Sequence, residues 1–86
     1  MTKLGIIAGR GDFPLLAAKE ARLAGRVVCT AALEGEAPEE IVQVSDKLQW
    51  VKLGELGKLT KFFEQEGVTE ALMAGQVRKR DRKSVV

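Results

Sequence analysis

Leu4-Gly5-Ile6-Ile7-Ala8-Gly9-Arg10-Gly11-Asp12-Phe13-Pro14 decides the fold of this 86-residue chain. A short apolar run ends at two glycines one residue apart; an Asp follows, and a proline stands two residues further on. The run reads as a buried strand of a parallel sheet, where both faces are covered and hydrophobicity is continuous rather than alternating. Gly9 and Gly11 permit a tight turn with exposed backbone N–H groups. Asp12 stands where it can cap a helix, and Pro14 suits that helix's first turn, where its missing N–H would have no partner. A strand, a glycine turn and a helix N-terminus in succession form the usual anion site of α/β proteins.

Outward from this stretch, residues 14 to 24 read as a helix rich in Leu and Ala, with Lys19, Glu20 and Arg22 as its polar positions and Gly25 at its C-terminal stop. Val27 to Leu33 is a second buried strand, β-branched at its start. Glu34 to Glu40 is an acidic loop containing Gly35 and Pro38, leading into a helical turn over Glu39 to Val44. Leu48 to Lys52 is a short third strand. Leu56, Leu59, Phe62 and Phe63 make the apolar stripe of a second helix, with Lys58, Lys61 and Gln65 opposite, and Gly67 ends it. Glu70 to Gly75 is a fourth strand. The order β-α-β-β-α-β, with short connections and no internal repeat, predicts an α/β, Rossmann-like parallel sheet covered on both faces, in strand order 3-2-1-4.

Length allows one domain, residues 1–77, followed by a basic tail over 78–86. Hydrophobic residues make up 45% and charged residues 30%, ordinary for a globular chain. The net charge of +2 is unevenly spread. Residues 1–77 hold 9 basic and 11 acidic side chains, whereas Arg78, Lys79, Arg80, Arg82 and Lys83 face only Asp81 in the tail. The tail carries no aromatic residue that could stack a base, so nucleic acid is not an expected partner. The single Cys29 excludes an internal disulfide, fits a reducing compartment and falls in a predicted strand as an inert core thiol. No apolar run approaches the ~20 residues of a membrane span, and no signal-peptide pattern opens the chain. The expected location is cytoplasmic.

Chemistry-bearing residues are sparse. A dinucleotide fingerprint needs a third glycine where Pro14 stands, although Glu34 at the end of the second strand occupies the place of a ribose-binding acid. Gly57-Lys58 is followed by Leu59, without the metal-binding hydroxyl of a P-loop; Gly54 to Lys58 reads as a loop and helix start. There is no His and no Tyr, and neither Ser45 nor Ser84 has a base beside it in sequence. Glu39-Glu40 and Glu64/Glu66 fall on solvated surfaces. Zinc chemistry lacks ligands, and helix capping is a better use of Asp12 than contact with a hydrated Mg²⁺. No complete active site assembles from these residues.

Two segments carry a family resemblance. They are Leu4 to Pro14 with its helix to Gly25, and Leu53-Gly54-Glu55-Leu56-Gly57-Lys58-Leu59 continuing through Phe62-Phe63 and Gly67-Val68-Thr69-Glu70 to Met73-Ala74-Gly75-Gln76-Val77. In order and spacing they resemble the N-terminal domain of the UDP-2,3-diacylglucosamine pyrophosphatase family, the type unrelated to calcineurin-like phosphoesterases. The resemblance implies hydrolysis of UDP-2,3-diacylglucosamine to UMP and 2,3-diacylglucosamine 1-phosphate in lipid A biosynthesis, with a divalent cation, Mg²⁺ or Mn²⁺. It also implies a ligand held between this Rossmann-like domain and a C-terminal domain that carries the catalytic acids. On that reading residues 78–86 begin a linker to a missing catalytic domain, and this chain is a substrate-binding fragment, not catalytic by itself. The cation is not expected on this domain alone, and peripheral contact with the inner membrane is compatible with the lipid substrate.

What carries over is half of a substrate site: Gly9, Arg10, Gly11 and Asp12 at the first turn, and Gly75 and Gln76 at the end of the fourth strand. They would offer backbone N–H groups, an amide and the Arg10 charge to the sugar phosphate. Two other classes stay open: a free-standing nucleotide-binding or regulatory module, and a structural docking domain. Apolar surface left by an absent second domain would also suit a homodimer.

Overall fold

The computed structural model describes residues 3–75. The elements are β1 (Lys3–Ala8), α1 (Phe13–Leu23), β2 (Val27–Leu33), a 3-10 turn (Glu39–Val42), β3 (Lys47–Val51), a second 3-10 turn (Leu53–Glu55), α2 (Leu56–Glu66) and β4 (Glu70–Ala74). All strand pairs are parallel, in the order β3-β2-β1-β4. The predicted fold class and strand order therefore hold. β1 lies between β2, from Lys3 opposite Val27 to Ala8 opposite Ala32, and β4, from Leu4 opposite Glu70 to Ala8 opposite Ala74.

Both helices end at the glycines that the sequence offers. After α1, Gly25 takes φ +84°, the Gly25 N–H donates to Arg22 C=O (3.0 Å), and Arg26 N–H donates to Ala21 C=O (3.0 Å). After α2, Gly67 takes φ +75°, with Val68 N–H donating to Phe63 C=O at 2.9 Å. A left-handed residue at this point satisfies carbonyls that the last turn would otherwise leave without donors. It also turns the chain back toward the sheet, so each helix delivers the next strand into parallel pairing.

Alternation along the strands splits the core into two layers. Leu4, Ile6 and Ala8 of β1 join Val28 and Ala32 of β2 beneath α1, with Ile41 of the first 3-10 turn and Ala18 and Ala21 of the helix. Cys29, Ala31 and Leu33 face the other way and meet Val51, Phe62 and Phe63 under α2. The helix α1 lies on the sheet through alanines, while its Leu16 and Leu23 are exposed. Of the predicted α2 stripe, Phe62 and Phe63 are buried, Leu59 is half-buried and Leu56 is exposed. Leu56 opens α2 at the carboxyl edge, directly after the second 3-10 turn, away from the strands that cover the two phenylalanines.

Buried polar groups are satisfied locally. Thr30 is fully buried, and its Oγ1 lies 2.6 Å from Ser45 Oγ, which donates to Ile41 C=O at 2.8 Å. Ser45 has only one proton, so Thr30 is the donor of the pair. Asp46 bridges β2 and the start of β3: Oδ2 accepts from Val28 N–H at 2.8 Å, and its own N–H donates to Val28 C=O at 2.9 Å. Burial pushes the Cys29 thiol above its ordinary pKa, with Glu66 adding to the effect, so it stays protonated and unreactive as a core residue.

One expectation fails at the sheet edge. The sheet is not covered throughout: Glu70, Ala71, Leu72 and Met73 of β4 are exposed, and only Ala74 is buried. The helices pack chiefly over β1, β2 and β3, which leaves the last-added strand largely open to solvent.

Gly5 has a packing role that the sequence pattern does not announce. A Cβ built there would lie 2.9 Å from Val68 Cγ1 and 3.0 Å from Phe63 Cζ, so the α2 layer rests directly on the β1 backbone. Gly5→Val should therefore destabilise the domain by about 1–3 kcal/mol through overpacking, read as a lower urea midpoint at unchanged m. A midpoint equal to wild type would show that Phe63 does not seat on this strand.

Candidate functional site

The carboxyl edge of the sheet brings the predicted residues together. Gly9 N–H donates to Ala74 C=O at 2.8 Å, which ties the end of β1 to the end of β4. Gly11 takes φ +105° with open space where a Cβ would stand. Gly75 takes φ +93°, and a Cβ there would come within 2.7 Å of Arg10 O, 2.9 Å of Gly9 C and 2.9 Å of Pro14 Cγ. Only a glycine lets the end of β4 lie against the first turn so closely. Arg10, Gly11, Asp12 and Gly75 thus lie together at one edge, whereas Gly9, expected from sequence to offer an exposed N–H, is buried and has its N–H spent on Ala74 C=O. Gln76 and the basic tail, with Ser84, lie outside the described residues.

Asp12 corrects an expectation. It occupies the N-cap of α1, yet its side chain makes no capping hydrogen bond. The cause is its backbone, at φ −90° and ψ −14°, whereas a capping side chain usually needs an extended N-cap residue. Its carbonyl still accepts the first helical bond, from Leu16 N–H at 3.1 Å. The carboxylate stays exposed at the positive end of α1. Pro14 falls in the first turn as predicted. The first-turn amides of Phe13 and Leu15 precede that first helical bond and face away from intrahelical acceptors.

Arg10 is held from across the edge. Its Nε donates to Glu36 Oε1 at 3.2 Å; the Glu36 side chain is only 11% exposed, against 45% for Arg10. Gly35 at φ +82° reverses the chain after β2, and Glu36 N–H and Ala37 N–H both donate to Leu33 C=O, at 3.0 and 2.9 Å. This turn points Glu36, rather than Glu34, at the glycine turn. Glu34 is exposed and its N–H donates to Val51 C=O at 2.8 Å. Of these two acids, Glu36 and not Glu34 pairs with a residue of the first turn. The pair of acids flanking Gly35 was the available signal, but which one faces inward depends on the reversal.

The remaining candidates keep structural roles. Gly54 to Lys58 forms the second 3-10 turn and the start of α2, with Lys58 Nζ 3.3 Å from Glu55 Oε1. Ser45 is engaged with Thr30 and Ile41 and has no base beside it. Among the described residues, no three His, Cys, Asp or Glu side chains come together to hold a cation, so these residues do not by themselves fit the divalent metal. No helix among the described residues is long and apolar enough to cross a membrane.

The model of the LpxI N-terminal domain matches residues 3–85. The chain belongs to this family. No curated protein matches it. Among solved structures, phosphoribosylglycinamide synthetase from Anaerococcus prevotii superposes with a TM-score of 0.59 over 84% of this chain, at 18% identity. The chain spans 18% of that protein's length, and the likeness is one of fold.

The two glycines of the site differ in what a side chain would meet. Gly11→Ala should cost about 1–2 kcal/mol, from backbone strain alone. Gly75→Ala adds a backbone clash to the same strain and should cost clearly more, with amide shifts spreading to Gly9 and Arg10. Equal urea midpoints for the two variants would contradict the close packing of β4 on the turn.

Proposed function

We propose that this chain is the substrate-binding N-terminal domain of a UDP-2,3-diacylglucosamine hydrolase, supplying half of a site whose catalytic acids belong to a second domain. The family makes it a domain of a lipid A biosynthesis enzyme. The observation that supports the half-site is the seating of Gly75 against Gly9 and Arg10, which joins both strand ends at the edge where open α/β sheets bind ligands. Gly11 leaves room for a phosphate to approach the backbone, and the first-turn amides of α1 and the Arg10 guanidinium are its donors. These groups bind and orient the sugar diphosphate. Bond cleavage, and the divalent cation that the family resemblance implies, would belong to the second domain.

A titration of the chain with UDP-N-acetylglucosamine, a soluble analogue that keeps the uridine diphosphate and the sugar, tests this reading. Amide shifts in NMR spectra should concentrate at residues 9–13 and 75, with a Kd of order 1 mM, about 4 kcal/mol of binding, as suits half of a site. Spectra unchanged at saturating ligand would refute it.

A second reading, a docking module, is favoured by one feature. A shallow apolar groove between α1 and β4 is lined by Leu4, Phe13, Leu16, Ala17, Ala21 and Leu72, and Phe13 and Leu16 are more than half exposed. Shifts along this groove on dilution, with the glycine turn silent to the nucleotide sugar, would select it instead.

A further inference from the structure

The proposed half-site leaves one buried charge without a role. The Glu36 side chain is largely buried at the carboxyl edge, on a turn over-determined by two hydrogen bonds to Leu33 C=O and by the left-handed Gly35. Burying a carboxylate is unfavourable unless it is paired, and its partner here is Arg10. The contact is made through Nε alone. The Nη1 and Nη2 groups, which carry the guanidinium's forked donors, make no hydrogen bond among the described residues.

Charge balance makes that orientation matter. Among the described residues, Glu36 pairs with Arg10 and the exposed Asp12 follows two positions later in sequence, so Arg10 is not an unopposed positive charge. The donors that these residues offer an anion act at contact distance: the turn and first-turn amides and the forked end of Arg10. A free arginine side chain would lose rotamer entropy on meeting the ligand, whereas an anchored one has already lost it.

We infer that Glu36 is a positioning residue: its carboxylate grips Arg10 Nε and thereby presents Nη1 and Nη2 to a phosphate oxygen bound at the Gly9–Asp12 turn. The inference rests on the half-site reading and deepens it, because it names the residue that prepares Arg10 for a diphosphate ligand. Glu36 does not touch the ligand. Its reach matters and its charge does not, since what it supplies is an acceptor at a fixed place.

That distinction sets the experiment: the same titration of the chain with UDP-N-acetylglucosamine, on Glu36→Gln, Glu36→Asp, Glu36→Ala and Arg10→Ala. Glutamine keeps the acceptor oxygen at the same reach and loses the charge, so its Kd should stay within about threefold of wild type. Aspartate keeps the charge and withdraws the acceptor by one methylene, so it should bind about tenfold more weakly, like Glu36→Ala and Arg10→Ala. The Gln and Asp variants bracket the result if Glu36→Ala fails to fold. Tighter binding by Glu36→Gln would show that the carboxylate competes with the ligand for Arg10, and would overturn the inference. Wild-type affinity in Glu36→Asp and Glu36→Ala, with Arg10→Ala weakened, would overturn it while leaving the half-site intact. A wild-type chain that shows no shifts fails at the half-site itself and removes the inference with it.

Discussion

β1 is paired on both edges and packed on both faces, and this double burial constrains the rest of the domain. A strand in that position has no polar face to spare, so its side chains must be apolar or absent. Leu4, Ile6 and Ala8 fill the α1 layer, and Ile7 packs against the α2 layer. At Gly5 the side chain is missing because Phe63 and Val68 already occupy its place. The strand cannot slip by one residue without driving Leu4 and Ile6 into that contact. The register of β1 therefore fixes where its carboxyl end emerges, and with it the place of the glycine turn.

The turn inherits this precision. Gly9 is bonded to Ala74 and enclosed by Gly75, so two strand ends that are 66 residues apart in sequence share one small surface. No bulky side chain intervenes, and the backbone itself becomes the lining. Such an edge suits a ligand recognised through oxygen atoms, because amide donors fixed by a packed core need little reorganisation when a phosphate arrives. Among the described residues, the exposed Asp12 carboxylate and the Arg10–Glu36 pair are the charged groups of this turn.

Bracing of the sheet is uneven. The polar contacts that brace the fold cluster away from the glycine turn: Thr30 with Ser45, Asp46 with Val28, and Arg22 with Gln43 C=O (3.3 Å). They pin β2, the first 3-10 turn and the start of β3 behind α1. β4 is held differently, by its ladder to β1 and the contact at Gly75, with much of its surface open. The strand whose end meets the glycine turn is also the least covered among the described elements.

Much of this was legible in the chain because it follows from local rules. Glycines at 25 and 67 stop helices by adopting a conformation that other residues avoid, Pro14 marks a first turn, and apolar runs separated by helices dictate parallel strands. Gly9, Arg10, Gly11, Asp12 and Gly75 could be grouped because parallel topology sends the ends of β1 and β4 to one edge. Tertiary structure alone decided the rest. Which acid faces the turn depends on the reversal at Gly35, which selects Glu36 over Glu34. Whether Asp12 caps depends on a backbone angle set by the packed turn. Why residue 5 must be glycine depends on a phenylalanine 58 positions away. Sequence rules describe what each residue can adopt on its own, whereas distances across a sheet arise only when the layers close.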